Sequence, residues 1–177
     1  MNLFLKRLGG FYKYRFLMQQ LVTKDIKLKY RRSFLGYLWS ILNPLMVMVI
    51  MVIVFSNMFR SDITNFPVYL IIVQTLYNFM SESTTQAIFS IIGNASLLKK
   101  TYVPKYVFTV SKITSSFVNM IFALGALIIV FIVCRVVPNV FFLFIPVILL
   151  QEYLFCLGLG MLLAQGCVFF RDIQHIY

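Results

Sequence analysis

The sequence predicts an all-α integral membrane protein: an amino-terminal amphipathic interface helix, then four transmembrane helices, with both ends in the cytoplasm. Three observations carry that expectation. No charged side chain occurs between Phe34 and Phe59, and nine of the sixteen Lys and Arg residues stand just ahead of that run. Hydrophobic residues make up 61% of the 177 and charged residues only 12%, with a mean hydropathy of +0.90. Such a chain has too little polar surface to clothe a soluble domain of its size.

The first element is a cytoplasmic basic segment, residues 1–33. From Lys13 to Arg32 it contains neither Pro nor Gly, and its side chains sort at helical spacing. Tyr14, Met18, Leu21, Val22 and Ile26 fall on one face, with Lys13, Gln20, Lys24, Lys27 and Arg31 opposite. A basic amphipathic helix of this kind is expected to lie flat in the inner leaflet, its apolar side among the acyl chains. Its polar residues Lys24, Asp25, Lys29, Arg31 and Arg32 are candidate functional positions. Asp25 and Lys29 lie four apart, the spacing at which they pair with each other or with a partner protein. The helix is either an anchor alone or also a lever on the first span, and the second reading is favoured. Ser33, Gly36, Asn43 and Pro44 let the chain turn from the membrane plane into the bilayer.

Four spans follow, at about 35–59, 66–92, 113–134 and 144–168. Each provides the roughly 20 residues that cross a hydrocarbon core of about 30 Å as a helix. Gly93 to Lys112 forms a polar segment broken by Pro104. Arg135 to Asn139 makes a tight turn, and Pro138 and Pro146 set off an interfacial stretch before the fourth helix. With the amino terminus inside, fourteen of the sixteen basic residues fall on the cytoplasmic side; Arg60 and Arg135 fall outside. That is a strong positive-inside bias. The net charge of +11 is therefore directed at anionic lipid head groups, not at nucleic acid. A cleaved signal peptide is not expected, because no short apolar segment ends in a small-residue cleavage site.

Polar residues inside the spans face protein or a wet passage, because lipid cannot satisfy them. Gln74, Asn78, Ser81, Glu82, Thr85 and Gln86 recur at helical spacing in the second span. Of these, Gln74, Asn78, Glu82 and Thr85 are candidates for a substrate path or for polar contacts within the bundle. Glu82 is the sharpest case; an interhelical hydrogen bond is the simpler role for it. In the fourth span Gly160 and Ala164 form a small-xxx-small pair suited to close helix contact. Trp39, Tyr37, Tyr102 and Tyr106 mark inner boundaries. Cys134, Cys156 and Cys167 lie in apolar stretches and read as small buried residues, neither disulfides nor metal ligands.

Enzyme chemistry finds little support. One His and five carboxylates are spread over the chain, and only Asp172 and His175 are close, three apart on a possible helix. Convergent acids, bases or metal ligands would be needed, so no catalytic, cofactor or metal residues are assigned. No GxxxxGK[ST] phosphate loop occurs, so any ATP is hydrolysed by another chain. An ATPase-independent carrier or channel is the alternative transport class, and Glu82 alone would serve it.

The stretch Lys24-Asp25-Ile26-Lys27-Leu28-Lys29-Tyr30-Arg31-Arg32-Ser33-Phe34-Leu35-Gly36-Tyr37-Leu38-Trp39-Ser40-Ile41-Leu42-Asn43-Pro44-Leu45 resembles the opening segment of type-2 ABC transporter permeases. The branch it resembles exports polysaccharides and polyol phosphates: O-antigen, capsule and teichoic acid. Leu97 to Lys105 (LLKKTYVPK) is similar to that family's first inner loop, and Val168 to Ile176 (VFFRDIQHI) to its second.

The resemblance implies a homodimer of permeases around a central passage, with two copies of a separate ABC ATPase subunit docked beneath. It places the pair in the bacterial plasma membrane. No cofactor is bound directly; ATP is used by the partner subunit. Lys99, Lys100, Tyr102, Pro104 and Lys105 would form the first ATPase-coupling element, and Arg171, Asp172 and His175 would begin the second. The cargo would be a lipid-linked glycan or polyol phosphate polymer. Permeases of this family continue with two further spans, so residues 34–177 are expected to be a partial transmembrane domain, incomplete relative to a six-span permease.

Overall fold

The computed structural model describes residues 2–30, 36–59, 65–100, 102–136 and 139–176. Seven α-helices lie among them: α1 (Asn2–Tyr30), α2 (Gly36–Phe59), α3 (Phe66–Ser90), α4 (Ala95–Lys100), α5 (Tyr106–Val133), α6 (Ile145–Phe169) and α7 (Ile173–Ile176). Short 3-10 turns at Ile92–Asn94 and Val140–Phe144 lead into α4 and α6. No strand occurs among the described residues.

The helices begin and end for local reasons. Asn65 stands ahead of α3 in the left-handed region (φ 60°), which Asn tolerates, and Pro67 occupies the first turn, where a missing N–H costs nothing. At the end of α5, Arg135 takes φ 51°, and the Val136 N–H donates to the Phe131 carbonyl at 3.0 Å. That is the Schellman closure, with Arg where Gly is usual. Pro44 sits inside α2 and cannot donate to the carbonyl one turn earlier, a cause of bending at that level.

Leu38–Phe55, Tyr106–Val133 and Phe142–Phe169 are long and apolar enough to cross a membrane. Helix α3 is also long enough, at 25 residues or about 37 Å, but its polar stripe lowers its hydropathy. Its position accommodates the stripe: α3 packs on α2, α5 and α6, and its polar residues Glu82 and Ser90 bond to α5 and α1. The outward faces of α2 and α6 are strongly apolar, with Ile50, Ile53, Val147 and Leu162 all exposed. A belt of that extent would be an aggregation liability in water and is an ordinary lipid-facing surface in a bilayer.

Helices α3 and α5 run antiparallel. Val68 and Ile71 of α3 pack with Ala126, Leu127 and Val130 of α5 and Met48 of α2 at one end of the bundle. Phe79 and Ala87 pack with Ile113 and Met120 of α5 and Cys156 of α6 toward the other. In lipid these contacts are not driven by exclusion of water; close van der Waals fit and interhelical hydrogen bonds hold them. Both occur here. The Thr114 and Tyr153 hydroxyls are 2.9 Å apart, joining α5 to α6, and Ser90 Oγ lies 2.9 Å from Thr109 Oγ1, joining α3 to α5.

Two expectations need correction. Helix α5 begins at Tyr106, not at Ile113, so Lys112 is helical and not part of a loop. Its charge is met by a carboxylate, which lets it sit inside the packed bundle. And α1 does not rest its inner face on acyl chains alone: that face is half-buried against α5.

Candidate functional site

The junction of α1 with the bundle is built from charges that lie far apart in the chain. Asp25 Oδ1 accepts from Lys112 Nζ of α5 at 2.9 Å, and Lys29 Nζ donates to Glu82 Oε1 of α3 at 2.8 Å. The expected Asp25–Lys29 pair is therefore not formed. Each of the two residues reaches across to a different helix, because one turn of α1 separates them and two helices lie beneath. Glu82 Oε1 also accepts from Gln86 Nε2 at 2.9 Å and Asn119 Nδ2 at 3.1 Å. Asn119 Oδ1 in turn accepts from the buried Tyr30 hydroxyl at 3.1 Å. The Tyr30 ring meets Phe122 edge-on, with centroids 6.1 Å apart. Tyr30, Asn119 and Glu82 thus form a relay from α1 through α5 to α3, and mutual polarisation strengthens such chains in a low dielectric.

Beside this relay lies a crevice of about 430 Å³, walled by the end of α1, the start of α2, and the middles of α3 and α5. Its polar lining includes Lys29, Asn43, Asn78, Glu82 and Asn119, with Trp39 among the lining aromatics. Of the stripe expected in α3, Asn78 and Glu82 line this crevice, Gln74 is half-buried and Thr85 is exposed. Sequence reasoning missed Asn119, Ser116 and Thr75. Thr75 and Ser116 sit beside other polar residues (Gln74; Thr114 and Ser115) and Asn119 stands between apolar ones, a signal present in the sequence but without a stated partner.

The two loop elements lie at one end of the bundle. The Ser90–Thr109 bond closes the elbow between α3 and α5, and Asn94 Nδ2 donates to the Ser90 carbonyl at 2.8 Å. Within the elbow Lys99, Tyr102 and Lys105 are exposed and Pro104 is half-buried; the Lys100 side chain lies outside the described set. Tyr102 is 99% exposed. A cavity of about 280 Å³ lined by Ile91, Lys105, Gln165 and Phe169 brings the end of α6 to the same place. Arg171 and Asp172 follow, both exposed. His175 falls in α7, with its side chain outside the described set. An ideal Cβ on Gly166 would come 2.7 Å from Ile173 Cδ1, so α7 folds closely under α6 and a larger residue there would displace the Ile173 tip. On α1, Lys24 is exposed, and Arg31 and Arg32 lie outside the described residues.

A wholly helical bundle with an apolar belt and basic polar elbows at one end defines a multi-pass membrane protein. The sequence profile of the family described as ABC-2 type transporter matches residues 17–177, and the chain belongs to that family. It is similar to an O-antigen export system permease protein, RfbA, of Myxococcus xanthus, at 32% identity over 93% of this chain and 64% of the relative. It is also similar to RfbA proteins of Klebsiella pneumoniae, one of them at 30% identity over 90% of this chain and 62% of the relative. The chain thus spans a little under two thirds of the length of these relatives. The family and these relatives place it in the bacterial plasma membrane.

Proposed function

We propose that this chain forms part of the permease of an ABC exporter that moves a lipid-linked polysaccharide or polyol phosphate polymer across the plasma membrane. Energy comes from a separate ATPase subunit, present in two copies beneath a permease homodimer. The family supports a transport role and an ATPase partner, and the relatives' names support the polysaccharide class. The observation that carries the reading is the gathering of the exposed polar residues Lys99, Tyr102 and Lys105 of one elbow and Arg171 and Asp172 of the other at the end of the bundle where α1 also docks. In this reading that end is cytoplasmic, α3 completes four crossings, and the elbows transmit the motor's closure. Helix α1, tied to α3 and α5 by ion pairs, carries the motion into the inner helices and not only into α2.

The test is uncoupling. Lys100→Ala and Asp172→Ala are expected to lower export of the polymer at least about tenfold, a typical coupling energy, while ATP hydrolysis by the assembled complex continues. Export and hydrolysis that both stay at the parent level would remove these elements from the transmission path. Transport that persists with the partner ATPase inactivated would favour the independent carrier.

A further inference from the structure

We propose that the crevice at the α1 junction binds a zwitterionic phospholipid whose phosphate headgroup carries a primary ammonium. This requires only that the bundle sits in a bilayer and does not depend on the export reading.

The site has the outline of an amphiphile. Trp39 and Asn43 line the crevice, and Met46, Ile50 and Ile53 continue the same helical face at spacings of three and four. Those three are exposed, at 48%, 58% and 57%. A polar cleft therefore opens directly onto an apolar track up α2. A soluble ligand would have no use for that track, whereas an acyl chain would lie along it.

Charge narrows the headgroup. Among the described lining residues, Lys29 and Glu82 are the charged ones, a cation and an anion 2.8 Å apart. A purely anionic headgroup would bring its charge against a fixed carboxylate. A headgroup with phosphate and ammonium satisfies both partners at once, the phosphate taking donors from Lys29 and the ammonium donating to Glu82. The carboxylate is arranged for this. Its bonds from Lys29, Gln86 and Asn119 all fall on Oε1, and among the described residues none is recorded on Oε2.

The third observation is Ser116. This residue of α5 lines the crevice and is fully buried, yet its Oγ has no hydrogen-bond partner among the described residues. Other buried helical hydroxyls in the bundle, such as Thr75, Ser90 and Ser111, donate to a carbonyl one turn back. Ser116 and its neighbour Ser115 do not, and a buried donor left without an acceptor is costly; of the two, Ser116 lines the crevice. A small outward shift of the crevice wall would let an oxygen of the phosphate or glycerol ester accept from it.

Binding is read by native mass spectrometry of the purified protein against phosphatidylethanolamine, phosphatidylcholine and phosphatidylglycerol with the same acyl chains. Phosphatidylcholine carries no N–H to donate to Glu82, and phosphatidylglycerol has no ammonium. The expected result is retention of phosphatidylethanolamine at affinity about tenfold above the other two, reduced to parity in Glu82→Gln and weakened in Ser116→Ala. If Glu82→Gln does not fold, Asn78→Leu, which obstructs the crevice wall, is expected to abolish the same preference. Equal binding of all three lipids, preference for phosphatidylglycerol, or a preference unchanged in every folded variant overturns the proposal. ATPase activity plays no part in this readout, so its outcome is separate from that of the uncoupling test.

Discussion

Asp25→Lys is expected to destabilise the protein by about 2 kcal/mol, between the ranges for exposed and for fully buried ion pairs. The Asp25–Lys112 pair is partly screened, with side chains 21% and 29% exposed, so the loss stops short of a dry interior's. The reversal puts two ammonium groups where one pair stood and leaves Lys112 without an anion inside the packed helices. Helix α1 should then loosen from α5 and lose the geometry that holds Lys29 on Glu82. Exchanging both residues, Asp25→Lys with Lys112→Asp, restores the attraction and is expected to recover most of the loss. Thermal unfolding in detergent measures both. A double exchange as unstable as the single reversal would show that the contact at 2.9 Å is incidental.

Gly160→Leu is expected to cost about 2–3 kcal/mol, at the upper end of the overpacking range. An ideal Cβ at that position would fall 2.7 Å from Ile113 Cδ1 and 3.0 Å from Ala87 Cβ. Ile113 and Ala87 are both fully buried. The isoleucine tip can give way; the alanine methyl moves only with α3 itself. A leucine therefore wedges α6 away from both α3 and α5, and the Thr114–Tyr153 contact between α5 and α6 goes with it. Gly158, on the same helix, has nothing within 4 Å of an ideal Cβ, so Gly158→Leu is expected to leave stability nearly unchanged. Unfolding curves of the two variants, compared side by side, isolate packing from the shared loss of backbone freedom. Equal destabilisation would remove close packing as the role of Gly160.

The fold class was legible because a bilayer enforces it: apolar runs near 20 residues and basic flanks leave few alternatives. Asn78 and Glu82 of the α3 stripe stood out for the same reason, since lipid cannot satisfy them, whereas Gln74 and Thr85 of the same stripe fall outside the crevice and Thr85 is exposed. What escaped was partner choice. From sequence, Asp25 has Lys29 as its nearest cation, whereas its partner in the fold stands 87 residues away on α5. Lys112 read as a loop residue because a charge ahead of an apolar run resembles a boundary; only the carboxylate on α1 makes it a helical, packed position. Ser116 and Asn119 were visible as polar residues in an apolar span but pointed to no partner, and their significance comes from the crevice they line. The small-residue pair was legible as a packing device, but which helices it would meet was not.

The central claim, that α1 and both exposed elbows face the cytosol and there meet a separate motor, is tested most directly by labelling. Cysteine is placed at Tyr102, with Cys134, Cys156 and Cys167 replaced by Ala, and a membrane-impermeant maleimide is applied to sealed spheroplasts; a parallel variant carries cysteine at Arg135. Position 135 should label at once, and position 102 only after the membrane is permeabilised. Labelling of position 102 from outside sealed cells would contradict the topology and, with it, the assignment of these elbows to an ATPase.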